Sequence, residues 1–174
     1  MDTGLKQYVI DIPDFPKPGI LFRDVSVLLR DHFADALSEL DALFTEEEWS
    51  KVDYIAGIES RGFILAAALA AMRGKGFVPI RKKGKLPPPV VDMAYDLEYG
   101  SGVLELQKGK GNILLVDDVL ATGGTLRASI ELSRVAGFAI VGVGVLVDLK
   151  LDGDFEWREH TARAVIVYNQ DTQR

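Results

Sequence analysis

The chain contains no cysteine, which removes disulfide frameworks, zinc ribbons and thiol nucleophiles from consideration. Histidine is nearly as scarce. His32 and His160 stand alone, with no second ligand at metal spacing, and read as surface residues. Positive charge is not in excess either: 20 Lys and Arg face 26 Asp and Glu, for a net charge of −6. Nucleic acid, which needs a basic face to displace counterions, is therefore not the expected partner. No apolar run reaches bilayer length; the longest, Phe63 to Met72, is short and Ala-rich. The opening MDTGLKQYVIDIPDFP is charged early and lacks an apolar core, so neither a signal peptide nor a membrane partner is expected, and the expected location is cytoplasmic.

What is present suits one soluble domain spanning residues 1–174, with 48% hydrophobic and 26% charged residues. Strand and helix patterns alternate, which predicts an α/β fold with a mostly parallel central sheet flanked by helices. The first 30 residues, with Pro13, Pro16 and Pro18, read as an irregular ordered arm. Phe33, Leu37, Leu40 and Phe44 form one helical stripe, with Asp31 as a candidate N-cap, and Thr45 with Glu48 has capping-box spacing. Strands are expected at Tyr54–Ile58, Phe77–Ile80, Asn112–Val116, Ile140–Val147 and Ala164–Tyr168. Helices are expected from Phe63 to Arg73 and from about Gly124 to Ala136. Between Arg81 and Gly102 the regularity breaks, as in a lid or binding loop. Val103–Leu106 alternates like an antiparallel ribbon outside the main sheet.

One run carries chemistry in functional order. ILLVDDVLATGGT, Ile113 to Thr125, is a hydrophobic strand, two carboxylates, a loop of small residues and a helix start. In open α/β sheets ligands lie beyond the C-terminal strand ends. Ala121, Thr122, Gly123, Gly124 and Thr125 let backbone N–H groups approach a phosphate, with the helix N-terminus behind them. Asp117 and Asp118 can accept hydrogen bonds from vicinal ribose hydroxyls or hold the water shell of a metal. The run is neither a Walker loop, since no Gly-Lys-Ser/Thr follows, nor a dinucleotide fingerprint, since G-x-G-x-x-G is absent.

At these residues the chain resembles the type I phosphoribosyltransferases. The resemblance implies that residues 121–125 hold the 5′-phosphate of phosphoribosyl pyrophosphate and that Asp117 and Asp118 face its ribose. Three further segments resemble the adenine branch of that family. FPKPGILFRDVS, Phe15 to Ser26, is similar to an N-terminal hood over the base, within an arm at 1–30; this implies base contacts around Leu21, Phe22 and Arg23. Glu59-Ser60-Arg61-Gly62-Phe63 is similar to the pyrophosphate loop, with Arg61 as a nearby cation. RKKGKLPPPVVDMAYDLEYG is similar to the flexible catalytic lid, expected at 81–106, where Arg81 and Lys85 would meet pyrophosphate and Glu98 would handle the proton of the base. The Pro87-Pro88-Pro89 run departs from the more flexible, Gly-containing hinge of the family, and the stretch after Asp148 matches weakly and carries no assigned role.

The resemblance further implies the reaction of adenine with phosphoribosyl pyrophosphate to give AMP and pyrophosphate. Mg²⁺ would act through substrate and water, with no direct protein ligand, and the enzyme would be a homodimer. Two alternatives stay open: a regulator that senses the sugar donor without turnover, and a transferase for another purine.

Overall fold

A computed structural model describes residues 4–97 and 100–168. The arm folds first into a short 3-10 turn, Leu5–Tyr8, and then into two antiparallel strands, β1 (Ile10–Pro13) and β2 (Leu21–Asp24). Three short helices follow: α1 (Ser26–Asp31), α2 (Phe33–Asp41) and α3 (Glu46–Lys51). Next come β3 (Tyr54–Ile58), α4 (Gly62–Arg73) and β4 (Gly76–Lys82), then the hairpin β5 (Val90–Leu97) and β6 (Gly100–Gln107). The chain continues through β7 (Gly111–Leu120), α5 (Gly124–Ala136), β8 (Phe138–Asp148), β9 (Glu156–Trp157) and β10 (His160–Val167).

One eight-stranded sheet has the order β5-β6-β4-β3-β7-β8-β10-β9. Within it β4, β3, β7, β8 and β10 run parallel, while the β5–β6 hairpin and β9 join antiparallel at the two ends. The strand β7 shows why the centre reads as unbroken hydrophobic sequence. Leu114 and Val116 enter the core shared with α2 and α4, while Ile113 and Leu115 enter the opposite core shared with α5 and β6. Both faces are covered, so side chains on both must be apolar. Among the described residues no helix is long and apolar enough to cross a membrane.

Several expectations need correction. Asp31 does not cap the second helix. It ends α1 and pairs with Arg30, and α2 begins at Phe33 with His32 in the cap position and no side-chain cap. The arm is not irregular throughout, because Val25 and Leu28 are buried and draw Ser26–Asp31 into a helix. Within 81–102, Arg81 and Lys82 end β4, and among the described residues only 83–89 lack regular structure. Val91, Met93 and Tyr95 alternate onto the α5-side core and make Val90–Leu97 a strand. Nor is the ribbon outside the main sheet, since β6 pairs with β4 at Arg81↔Glu105 and Lys82↔Leu104.

The Thr45–Glu48 capping box forms as expected, with the Thr45 N–H donating to Glu48 Oε2 at 2.8 Å and the Glu48 N–H donating to Thr45 Oγ1 at 3.2 Å. Arg163 on β10 adds bidentate bonds to the same carboxylate at 2.6 and 2.9 Å. These bonds, from Arg163 first and Thr45 next, hold Glu48 down to about 2. A carboxylate depressed in the folded state stabilises fully above its ordinary value of 4.5, and that contribution disappears as pH falls toward about 2. Glu48→Gln is therefore expected to melt ~2–4 °C lower than the parent at neutral pH. The gap should close in acid melts across that window.

Candidate functional site

Because β3, β4 and β7 are parallel and in register, their C-terminal ends share one rim. Ile58 pairs with Ile80, and Gly57 with Val116, so Glu59, Arg81 and the Asp117–Asp118 pair follow at the same level. The strand β7 does not stop at the acids, as its sequence suggested, but continues to Leu120 beside β8. Both carboxylates are buried, at 9% and 7% exposure. Burial, and after it the charge of Asp118, pushes Asp117 well above the ordinary carboxylate range. The Asp118 N–H donates to Asp117 Oδ1 at 3.0 Å. Asp118 Oδ2 forms an ion pair with Arg61, 2.5 Å from its Nε, without an aligned hydrogen bond.

Arg61 comes from the turn between β3 and α4, and Gly62 explains how that turn approaches β7. A Cβ on Gly62 would lie 2.7 Å from Asp117 Oδ1 and 3.1 Å from the Val116 carbonyl oxygen, so only glycine fits. Within the turn the Phe63 N–H donates to the Ser60 carbonyl at 3.2 Å. Glu59 faces sideways along the rim, accepting from the Lys82 N–H at 2.9 Å and from Arg81 Nε at 3.3 Å. Arg81 Nη1 also donates to the Lys85 carbonyl at 3.3 Å.

The turn after β4 is fixed by a residue that reads in the sequence only as part of a ribbon. Glu105 is buried at 3% exposure and accepts from the N–H groups of Gly84, Lys85 and Leu86 at 2.9, 2.5 and 2.5 Å. These donors, with Gly84 first, lower its pKa. Lys83 is engaged within the hairpin, 2.6 Å from Asp92. Glu98 and Tyr99 lie outside the described residues.

Beyond β7 the chain turns through Ala121 and Thr122 to Gly123, at φ 81°, and enters α5 with no side chain capping its first turn. Those N–H groups therefore remain available to an anion. Thr125 lies in that first turn, and its carbonyl accepts from Ser129.

The hood closes the other side. Phe22 on β2 places its ring 5.5 Å from the Arg61 guanidinium. Arg23 is buried, pairs with Asp11 and lies 4.3 Å over the Tyr168 ring, so its side chain braces the arm. Leu21, Phe22 and Arg23 border a cavity of about 380 Å³ whose other walls include Val119, Ala121, Leu149, Leu151 and Tyr168. The chain after Asp148, unassigned from sequence, thus supplies one wall of this cavity. Val119 and Ala121 thus border this cavity on the same stretch of chain that carries the two buried carboxylates and leads into the uncapped start of α5.

A family model for the phosphoribosyl transferase domain matches residues 30–171. The adenine phosphoribosyltransferase of Hydrogenovibrio crunogenus is 49% identical over 166 residues, covering 95% of this chain and 96% of that one. That of Bdellovibrio bacteriovorus is 51% identical over 165 residues, covering 94% and 99%. Among solved structures, the adenine phosphoribosyltransferase of Thermoanaerobacter pseudethanolicus superposes with a TM-score of 0.86 at 36% identity, covering 97% of this chain and 100% of the other. The Saccharomyces cerevisiae enzyme, crystallised with adenine and an imino-altritol bisphosphate, gives 0.84 at 34% identity, covering 94% and 97%. With the sheet order, the paired aspartates and the uncapped α5 loop, these similarities make the chain a member of the phosphoribosyltransferase family, in its adenine branch.

Proposed function

We propose that the protein transfers the 5-phosphoribosyl group from phosphoribosyl pyrophosphate to adenine, releasing AMP and pyrophosphate. One juxtaposition supports this reading: Val119 and Ala121, which border the hood cavity, join the buried Asp117–Asp118 pair to the uncapped start of α5. The whole chain, 1–174, then works as one domain, with a hood arm at 1–30 and a lid at 81–106. Adenine enters between Phe22 and the Leu149–Leu151 wall, with Leu21 and Arg23 framing its edge. Pyrophosphate lies against Ser60, Arg61, Arg81 and Lys85, and Glu59 holds Arg81 in place.

In the transfer, the anomeric C–O bond to pyrophosphate breaks and a bond to a ring nitrogen of adenine forms. Positive charge develops on the ribose and negative charge on the departing group. No protein nucleophile is required. Catalysis comes from positioning and from charges aimed at those developing charges. Asp117 and Asp118 stabilise the ribosyl cation and fix its hydroxyls, while Arg61 and Arg81 stabilise the leaving group. Glu98 accepts the proton lost by the base. The buried hard-oxygen pair Asp117–Asp118 suits Mg²⁺ held through water and substrate phosphates, with no direct bond to the protein. When bound, the ion would supply charge neutralisation to the pyrophosphate oxygens.

Glu98→Ala is expected to lower turnover by ~10²-fold while leaving the KM for the sugar donor nearly unchanged. Unchanged turnover removes Glu98 from the chemistry. Base selectivity tests the acceptor half of the proposal. Adenine, hypoxanthine, guanine and xanthine are offered in parallel with Mg²⁺ and the sugar donor, and product is expected from adenine. Equal product from another purine overturns the adenine assignment.

We also propose a homodimer, as the family resemblance implies. Ile64 and Met72 of α4 are 48% and 50% exposed, apolar side chains that a subunit contact would cover. A cytoplasmic setting accords with a chain that has no cysteine to oxidise.

A further inference from the structure

A second cavity, of about 510 Å³, opens beside the phosphate loop, and Arg127, Asp152 and Trp157 on its border have no part in the reaction described above. It is bordered by Tyr95, Thr122, Gly124, Arg127, Asp152 and Trp157. Arg127 is the fourth residue of α5, and a helical side chain covers the turn N-terminal to its own Cα, which here is the phosphate loop. Its guanidinium lies 5.8 Å from the Phe155 ring and 5.7 Å from the Trp157 ring, which hold it in place. Arg127 Nε is buried and has no hydrogen-bond partner, and among the described residues no acid pairs with this guanidinium. Two carboxylates border the same cavity. Glu131 is committed to Trp157, at 2.8 Å, and to Arg158. Asp152 is exposed and pairs with no cation among the described residues. The Arg127 side chain is only partly buried and borders the cavity, so the guanidinium, paired with no acid, is placed to meet an anion there.

We propose that this cavity is an anion subsite for the β-phosphate of a nucleoside 5′-diphosphate whose α-phosphate occupies the loop 121–125, with Arg127 as its cation. The proposal rests on the phosphoribosyl reading of that loop. Thr122 and Gly124 border both the loop and the cavity, so one ligand can reach from the first phosphate to Arg127. The sugar donor and AMP carry a single phosphate at the 5′ position and leave the subsite empty. A nucleoside diphosphate therefore gains a contact that substrate and product lack, and competes with the sugar donor. Asp152, facing the same space, limits the gain.

Calorimetric titration with ADP and with AMP, in Mg²⁺-free buffer so that no metal bridges the phosphates, tests this on the parent, Arg127→Gln and Asp152→Asn. The parent is expected to bind ADP about tenfold more tightly than AMP. Arg127→Gln should abolish that preference with AMP affinity retained, and Asp152→Asn should enlarge it. A purely structural brace between Phe155 and Trp157 predicts no change in the ADP-to-AMP ratio. That outcome, or an equal loss of both affinities, overturns the subsite. Turnover of adenine is measured on the same preparations: a parent that prefers ADP through Arg127 yet makes no AMP leaves the subsite standing and removes the transferase reading instead.

Discussion

Replacing Asp117 and Asp118 together by Asn is expected to reduce turnover by about 10³-fold or more, the scale on which groups aimed at developing transition-state charge act. Donor binding should fall with it. The pair is buried at the strand end, and Asn at both positions keeps shape while removing the charge opposite the ribose. Retained activity would end the assignment of this rim as the sugar site.

The single variant Asp117→Asn separates chemistry from stability. Asp117 carries a raised pKa, first because it is buried and then because Asp118 is charged beside it. Its folded form therefore holds a proton that the unfolded chain releases near 3.8, and stability falls as pH rises from there through the raised value. Asparagine removes this penalty and can still accept from the Asp118 N–H. The variant should be more stable than the parent at neutral pH by ~0.5–2 kcal/mol, an advantage that shrinks as the pH approaches 3.8, while its turnover falls. A variant less stable at neutral pH would contradict the assigned burial cost.

The second large effect is expected at Gly123. Its φ of 81° disfavours any side chain, and a Cβ there would meet the Phe155 ring at 2.8 and 2.9 Å. Gly123→Val combines a left-handed backbone penalty with overpacking, together ~2–4 kcal/mol, or a melting point lower by ~5–15 °C. The loop must shift to accommodate it, and a misplacement on the scale of 1 Å costs about a hundredfold, here in kcat/KM for the sugar donor. Adding Phe155→Ala should recover part of the stability, because the two residues meet, but not the φ penalty. Full stability in the single variant would show that the turn and Phe155 are not packed as described.

How much of this was legible in the sequence depended on how local each feature is. The loop 121–125 and its two acids lie within one run of thirteen residues and need only a strand and a helix to come together, so the sequence order already contains the proposed site. The capping box at Thr45 and Glu48 is local in the same way. Its partner Arg163 is not, because it arrives from β10 at the far end of the chain. The hood was readable as a segment, but its opposite wall, Leu149, Leu151 and Tyr168, belongs to a stretch with no local pattern and is brought in by β8 and β10. Glu105 was hidden for another reason. In an alternating strand a glutamate reads as the solvent face, and only the turn at Gly84–Leu86 folding back over it converts it into a buried acceptor. The strand Val90–Leu97 did carry a period-2 signal in Val91, Met93 and Tyr95, which the neighbouring prolines and lysines masked. Asp31 failed as a cap because the buried Val25 and Leu28 extend helical structure up to it.

Transfer, as opposed to mere binding of the sugar donor, is the central claim, and product stoichiometry tests it most directly. The protein is incubated with Mg²⁺, adenine and phosphoribosyl pyrophosphate, and AMP and pyrophosphate are quantified in the same samples over time. The proposed function predicts that both appear together, in equal amounts, and only when adenine is present. Binding of the sugar donor without AMP, or release of pyrophosphate independent of adenine, would contradict it.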